Sequence, residues 1–99
     1  MDKGRLREWD FFSYMVYHHI KEYAIPQYGD KPGDNLSTWN AADCVRQIGK
    51  YVKRFSTNAR GANESKNDLL KVAHYACVAY IKLSEEVDEQ EIRDAEKSN

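Results

Sequence analysis

The sequence predicts an all-α fold of three main helices, and three observations support this. Apolar residues recur at spacings of three and four, no segment alternates as a half-buried strand does, and proline and glycine gather in the stretches between. The chain has 99 residues, 41% hydrophobic and 31% charged, which is typical of one small globular domain. We expect helices over about 6–24, 38–56 and 64–88, in a bundle that oligomerisation completes.

The first predicted helix ends at Pro26, because proline lacks the backbone N–H that a helix interior needs. Phe11 and Met15 widen its apolar face, which suggests contact with both the rest of the fold and a second subunit. A loop from Ile25 to Thr38 follows, and loops of such length are often functional. The apolar face comprises Leu6, Trp9, Phe12, Val16, Ile20 and Tyr23.

The second and third helices are predicted to pair as an antiparallel hairpin. Ser37 or Thr38 is the expected N-cap of the second helix, and the third begins near Glu64 or Ser65. Residues 1–83 are expected to form the domain, and 84–99 an acidic helical extension or a frayed tail. The predicted core faces are Ala41, Cys44, Val45, Ile48, Val52 and Phe55 on the second helix, and Leu69, Val72, Ala73, Ala76, Tyr80 and Leu83 on the third.

Composition limits the compartments and partners that we expect. A net charge of −1 predicts no nucleic-acid partner, and no apolar run approaches the ~18–20 residues that a membrane span needs. The N-terminus does not resemble a secretory signal. Cys44 and Cys77 form no metal or redox motif, so we expect reduced thiols on apolar helix faces and a cytoplasmic location.

The candidate functional site is a mixed-charge pocket between the second and third helices. From Cys44 to Arg60 there are five bases and no acid, and on the third helix Glu64 and Asp68 share a face. Cations there would bind phosphates, and the two carboxylates would hold Mg²⁺. Interhelical salt bridges are the alternative explanation. The candidate ligand contacts are Arg46, Lys50, Lys53, Arg54, Arg60, Lys71, His74 and Tyr75, with Tyr51 or Tyr75 as a ring on which a base stacks.

Several enzyme classes are excluded by missing motifs. The sequence contains neither GxGxxG nor GxxxxGK[ST], which excludes a dinucleotide fold and a P-loop kinase. It contains neither HExxH nor CxxC, which argues against a catalytic zinc site.

Two segments resemble a known type of domain. Lys50-Tyr51-Val52-Lys53-Arg54 and Asp68-Leu69-Leu70-Lys71 are similar to a small phage-encoded helical domain of unknown function, which also occurs inside a phage nucleotide kinase. The region of Glu64 and Asp68 more loosely resembles MazG-type and dATP/dGTP diphosphohydrolase-like domains. The resemblance implies an oligomeric all-α protein that acts on nucleotides with Mg²⁺. MazG-type enzymes carry an ExxE motif, whereas the corresponding helix here is basic, which fits anion binding better than hydrolysis.

Two functions follow as predictions. The first is binding of a nucleotide or another phosphate-bearing ligand; if turnover occurs, we expect a Mg²⁺-dependent pyrophosphohydrolase or a kinase-related activity. The alternative is a non-catalytic host-takeover or anti-defence protein. It would act in the host cytoplasm by contact with a host protein or by sequestering a signalling nucleotide.

Overall fold

The computed structural model describes residues 4–30, 36–57 and 61–97, and apart from short turns these residues are helical, without any strand. The predicted all-α class is therefore confirmed. Helix α1 spans Arg5–His19 and continues through a π-helical turn, Ile20–Ala24, into the short helix α2, Ile25–Tyr28. Helix α3 spans Ala41–Thr57, and α4 spans Ala62–Lys97.

The first helical segment runs past Pro26, so the predicted end near Ala24 is wrong. The N–H of Ile25 donates to the carbonyl of Ile20, five residues back, and this wider turn lies just before the proline. A proline in a regular α-helix clashes with the carbonyl four residues earlier, and the π-helical turn accommodates it. The helix ends instead at Gly29, whose φ of 99° favours glycine.

The N-terminus of α3 is capped by Asn40, and not by Ser37 or Thr38 as predicted. Asn40 Oδ1 accepts a hydrogen bond from the N–H of Asp43 at 2.8 Å, and Asp43 Oδ2 accepts one from the N–H of Asn40 at 2.9 Å. This reciprocal pair is a capping box, which satisfies two backbone donors at once. Helix α4 begins two residues before the earlier of its predicted starts.

Helices α3 and α4 pack antiparallel, as predicted, and their contact forms the core. Near the start of α3, Ala41 and Cys44 cluster with Tyr75 and Ala79 of α4. Near the end of α3, Arg54 binds Asp68, which lies earlier in α4. Cys44 is fully buried and Cys77 is exposed, and both are free thiols.

The buried face of α4 lies about one residue, or 100°, from the predicted one. Its buried residues are Ser65, Asp68, Tyr75 and Ala79, whereas Leu69, Tyr80 and Leu83 are exposed. Apolar periodicity predicted the neighbouring stripe because two of the buried residues carry polar groups: Asp68 forms an ion pair with Arg54 of α3, and the ring of Tyr75 stacks on Tyr51 of α3. The predicted face of α3 is half correct, since Ala41, Cys44 and Ile48 pack inward but Val45, Val52 and Phe55 are exposed.

The molecule is elongated. Its radius of gyration is 16.7 Å, against about 13 Å for a compact chain of this length. Residues Glu85–Lys97 continue α4 as a helix with exposed side chains, and Leu6, Trp9 and Phe11 in the first half of α1 are also exposed. No helix among the described residues is both long and apolar enough to cross a membrane.

Candidate functional site

A cavity of about 400 Å³ lies where the first helical segment meets α3 and α4. We call it the aromatic cavity, because four of its lining residues are tyrosines and two are histidines. Its volume falls within the range typical of small-molecule sites. It is lined by His19, Tyr23, Ala24, Gln27, Tyr28, Tyr51, Glu64, Asn67, Lys71, His74 and Tyr75.

Tyr75 links the cavity to the core. It is 3% exposed, and its ring lies nearly parallel to two other rings. The ring centroids of Trp39 and Tyr51 lie 5.9 and 6.0 Å from that of Tyr75. The Tyr75 hydroxyl donates a hydrogen bond to the hydroxyl of Tyr28, with 2.8 Å between the oxygens. Burial, together with this hydrogen bond, raises the pKa of Tyr75 strongly, so the phenol stays protonated. Tyr75 therefore joins the cavity wall to the core through ring packing and a hydrogen bond.

The π-helical turn determines which side chains of the first segment reach the cavity. It begins directly after His19 and contains Tyr23 and Ala24, all of which line the cavity. The rings of His19 and Tyr23 stack with centroids 5.6 Å apart. An extra residue in a helical turn re-aims the side chains around it, and such turns are frequent at functional sites.

The two histidines of the cavity are held neutral. Burial lowers the pKa of His19, and the nearby charge of Lys71 lowers it further. Burial also lowers the pKa of His74, with a contribution from His19. Each ring then offers one donor and one acceptor nitrogen at neutral pH.

Asp68 is engaged by cations on two helices. It is 4% exposed, and both oxygens accept hydrogen bonds from Arg54, with Nε at 3.0 Å from Oδ2. Lys71 Nζ lies 3.9 Å from Oδ1. Both cations also lie over the Tyr51 ring, Arg54 Cζ at 4.9 Å and Lys71 Nζ at 5.3 Å from its centroid. This is the interhelical salt bridge that the sequence offered as the alternative to a ligand site.

The structure brings some of the predicted site residues together and not others. Five of them line the aromatic cavity: Tyr51, Glu64, Lys71, His74 and Tyr75. Arg46, Lys50 and Lys53 lie on exposed positions of α3 outside the lining, and Arg46 pairs with Asp43 of its own helix. Arg54 and Asp68 bind each other beside the cavity. Arg60 lies outside the described residues.

Sequence reasoning missed the part of the site that the first helical segment supplies. His19, Tyr23, Gln27 and Tyr28 line the cavity because the helix continues past Pro26. Pro26 could have signalled the π-helical turn, but a proline equally predicts a helix end. Asn67 carries neither a charge nor a ring, so charge and aromatic spacing give no signal for it. The amide groups of Gln27 and Asn67 have no hydrogen-bond partner within the described part of the chain.

No group of three or more His, Cys, Asp and Glu side chains is placed to hold a metal ion among residues 4–30, 36–57 and 61–97. Glu64 and Asp68 are the predicted metal pair. Both oxygens of the Asp68 carboxylate accept hydrogen bonds from Arg54 instead.

Comparison with known proteins gives no relative: the chain matches no protein-family model, no curated protein and no solved structure. The functional argument therefore depends on the cavity itself.

Proposed function

We propose that the protein binds a nucleotide carrying a single phosphate in the aromatic cavity, without chemical turnover. The observation that carries the proposal is the combination, in one cavity, of aromatic faces, two amides with no protein partner and one lysine. Aromatic rings stack on bases, amides pair with base edges, and an ammonium group binds phosphate.

The charges of the lining favour one phosphate over three. Among the described lining residues, Lys71 is the cation and Glu64 the carboxylate, while the two histidines have lowered pKa values. A triphosphate would bring several negative charges to one lysine and one carboxylate. A nucleoside monophosphate or a cyclic mononucleotide fits this balance better. Of the predicted phosphate contacts of α3, Arg46, Lys50 and Lys53 lie outside the lining, and Arg54 is bound to Asp68.

The position of Asp68 favours binding over catalysis. Mg²⁺-dependent phosphoryl chemistry needs carboxylate oxygens free to coordinate the ion. Both Asp68 oxygens accept hydrogen bonds from Arg54. Metal binding there would first have to break the ion pair between this buried carboxylate and Arg54. A ligand held and released intact is the expected outcome. Such a protein would sequester or sense a nucleotide, in agreement with the resemblance to nucleotide-related phage domains.

A thermal-shift screen tests the proposal. The ligands are nucleoside monophosphates, cyclic mononucleotides, triphosphates, the parent nucleosides and inorganic phosphate, each with and without Mg²⁺. A ligand at about 100 times its dissociation constant stabilises the native state by about 2.7 kcal/mol. We expect the largest shift with a monophosphate or cyclic nucleotide, and we expect chromatography of the incubated mixture to return it intact. A Mg²⁺-dependent product would identify an enzyme, and no shift with any nucleotide would contradict the proposal.

A second candidate function, binding of a host protein, is favoured by the exposed aromatic side chains of α1. Trp9, Phe11 and Tyr14 are all exposed in the single chain, and tryptophan and tyrosine are enriched at protein interfaces. Capture from a host lysate, compared between the parent and a Trp9→Ala variant, tests this function. A partner captured equally well by both chains would exclude Trp9 from its binding site.

A further inference from the structure

Helix α4 carries an exposed apolar stripe on the side away from the aromatic cavity. Each of Leu69, Ala73 and Ala76 follows a cavity-lining residue by two positions, which is about 200° around the helix. The stripe repeats at alternating spacings of four and three, the pattern of a coiled-coil seam. We call it the α4 seam, and its members are Leu69, Ala73, Ala76, Tyr80, Leu83 and Val87.

The exposed area of the chain matches what a dimer would cover. Its accessible surface is 7844 Å², whereas a compact monomer of 11.5 kDa exposes about 5,800 Å². The excess of about 2,000 Å² per chain is comparable to the surface that each subunit buries in a stable homodimer. Leu69, Tyr80, Leu83 and Val87 of the seam are all among the exposed large side chains.

We propose that the α4 seam is the interface with a second copy of this chain, and that the two α4 helices run antiparallel. With the two-fold axis near Val78, Ala76 lies opposite Tyr80 of the other copy and Ala73 lies opposite Leu83. Leu69 then lies opposite Val87. Small residues meet large ones at the first two levels, which fills the space between the helices evenly. A two-fold axis requires this self-complementarity. A parallel pair would place alanine against alanine and tyrosine against tyrosine.

Charge also favours the antiparallel orientation. Residues 84–99 contain seven acids and two bases, so two parallel extensions would repel each other. In the antiparallel dimer, each extension lies along the early part of the other α4, which carries Lys66 beside the seam. The carboxylate of Asp68 in that part is already paired with Arg54. The seam lies opposite the aromatic cavity, so the dimer does not depend on the ligand.

Sedimentation equilibrium of matched variants tests the interface. Leu83→Asp places a charge in the seam, and Ile92→Asp places one on the opposite side of the same helix. The two side chains are 50% and 60% exposed in the single chain, so circular dichroism should show both variants as helical as the parent. We expect the parent and Ile92→Asp to have twice the 11.5 kDa chain mass. Leu83→Asp should weaken dimerisation at least about tenfold. A monomeric parent, or equal effects of the two substitutions, would overturn the proposal.

Cross-linking tests the orientation and does not rely on a destabilising substitution. One chain carries Cys77→Ser with Ala73→Cys, and a size-tagged chain carries Cys77→Ser with Leu83→Cys. Cys44 is fully buried and will not react. A short bis-maleimide should join the two kinds of chain to each other in the mixture. Self-linked Ala73→Cys chains would show a parallel pair, and the absence of any cross-link would show that the seam is not the interface. Either result would overturn the proposal.

Discussion

At the scale of single residues, two cations of the α3–α4 pair lie beside one carboxylate but have different surroundings. Asp68 is buried, and its charge is compensated by Arg54 across the interface. Lys71 lies near the same carboxylate and also lines the cavity. Arg54 therefore joins α3 to α4, whereas Lys71 also faces the cavity. Sequence spacing brought both to the same region but had no means to tell them apart.

The Arg54–Asp68 pair should contribute measurably to stability. Arg54→Ala leaves a buried carboxylate without its main partner, and we expect a loss of about 1–3 kcal/mol in the free energy of unfolding. Arg46→Ala is the matched control, because Arg46 is an exposed residue that pairs with Asp43 of its own helix. Such surface pairs contribute under about 1 kcal/mol. Urea unfolding measures both. Equal losses would show that the interhelical pair does not stabilise the fold.

The cavity histidines should make stability depend on pH. His19 and His74 have pKa values below their ordinary 6.5 in the folded state, so the unfolded chain binds more protons at mildly acidic pH. Stability is fully present above about pH 6.5 and falls as the pH drops towards the folded pKa values, by at most about 1.4 kcal/mol per pH unit for each histidine. Thermal melts between pH 7.5 and 5.5 would reveal this.

The control for the pH effect uses a third histidine. His74→Gln should flatten the slope, whereas His18→Gln keeps both cavity histidines and should retain it. A slope that is the same in all three proteins would show that the cavity histidines are not its source.

At the scale of helices, apolar periodicity predicted the number, order and antiparallel pairing of the main elements. It placed the buried stripe of α4 one residue away, because Asp68 and Tyr75 are buried through a salt bridge and ring packing rather than through hydrophobicity. Pro26 is compatible with a helix end as well as with the π-helical turn at Ile20–Ala24, so the cavity residues of the first segment could not be predicted. The sequence therefore predicted about half of the residues that line the cavity.

The capping box at the start of α3 allows a direct test at this scale. Asn40→Ala should cost about 1 kcal/mol, with a range of about 0.5–2, because a backbone donor loses its acceptor. Thr38→Ala, at the N-cap position that the sequence favoured, should change the free energy of unfolding by less than about 0.5 kcal/mol. A larger effect at Thr38 than at Asn40 would contradict the observed cap.

At the scale of the whole molecule, the small core and the long exposed helix are related. Only five hydrophobic side chains of the described residues are buried, and α4 extends well beyond the helices that it packs against. Ligand binding and dimerisation would each add stability to such a chain by mass action. The cavity and the α4 seam lie on opposite sides of α4, so both can be occupied at once.

The end of the acidic extension should be dispensable for folding. Residues 90–99 follow the α4 seam, and the side chains of residues 90–97 are exposed. Their removal should change the free energy of unfolding by less than about 0.5 kcal/mol and leave the dimer intact. Urea unfolding with sedimentation checks this prediction. A loss of several kcal/mol would show that this stretch packs against the fold.

The most direct measurement of the central claim is calorimetric titration of the best-shifting mononucleotide into matched variants. Tyr23 and Tyr17 are 65% and 62% exposed, but only Tyr23 lines the cavity. Lys71 and Lys66 lie on the same helix, and only Lys71 lines the cavity. We predict saturable binding of one ligand per chain, weakened about tenfold or more by Tyr23→Ala and Lys71→Gln. Tyr17→Ala and Lys66→Gln should bind like the parent. Equal affinity in all five proteins would contradict the assignment of the cavity as the nucleotide site.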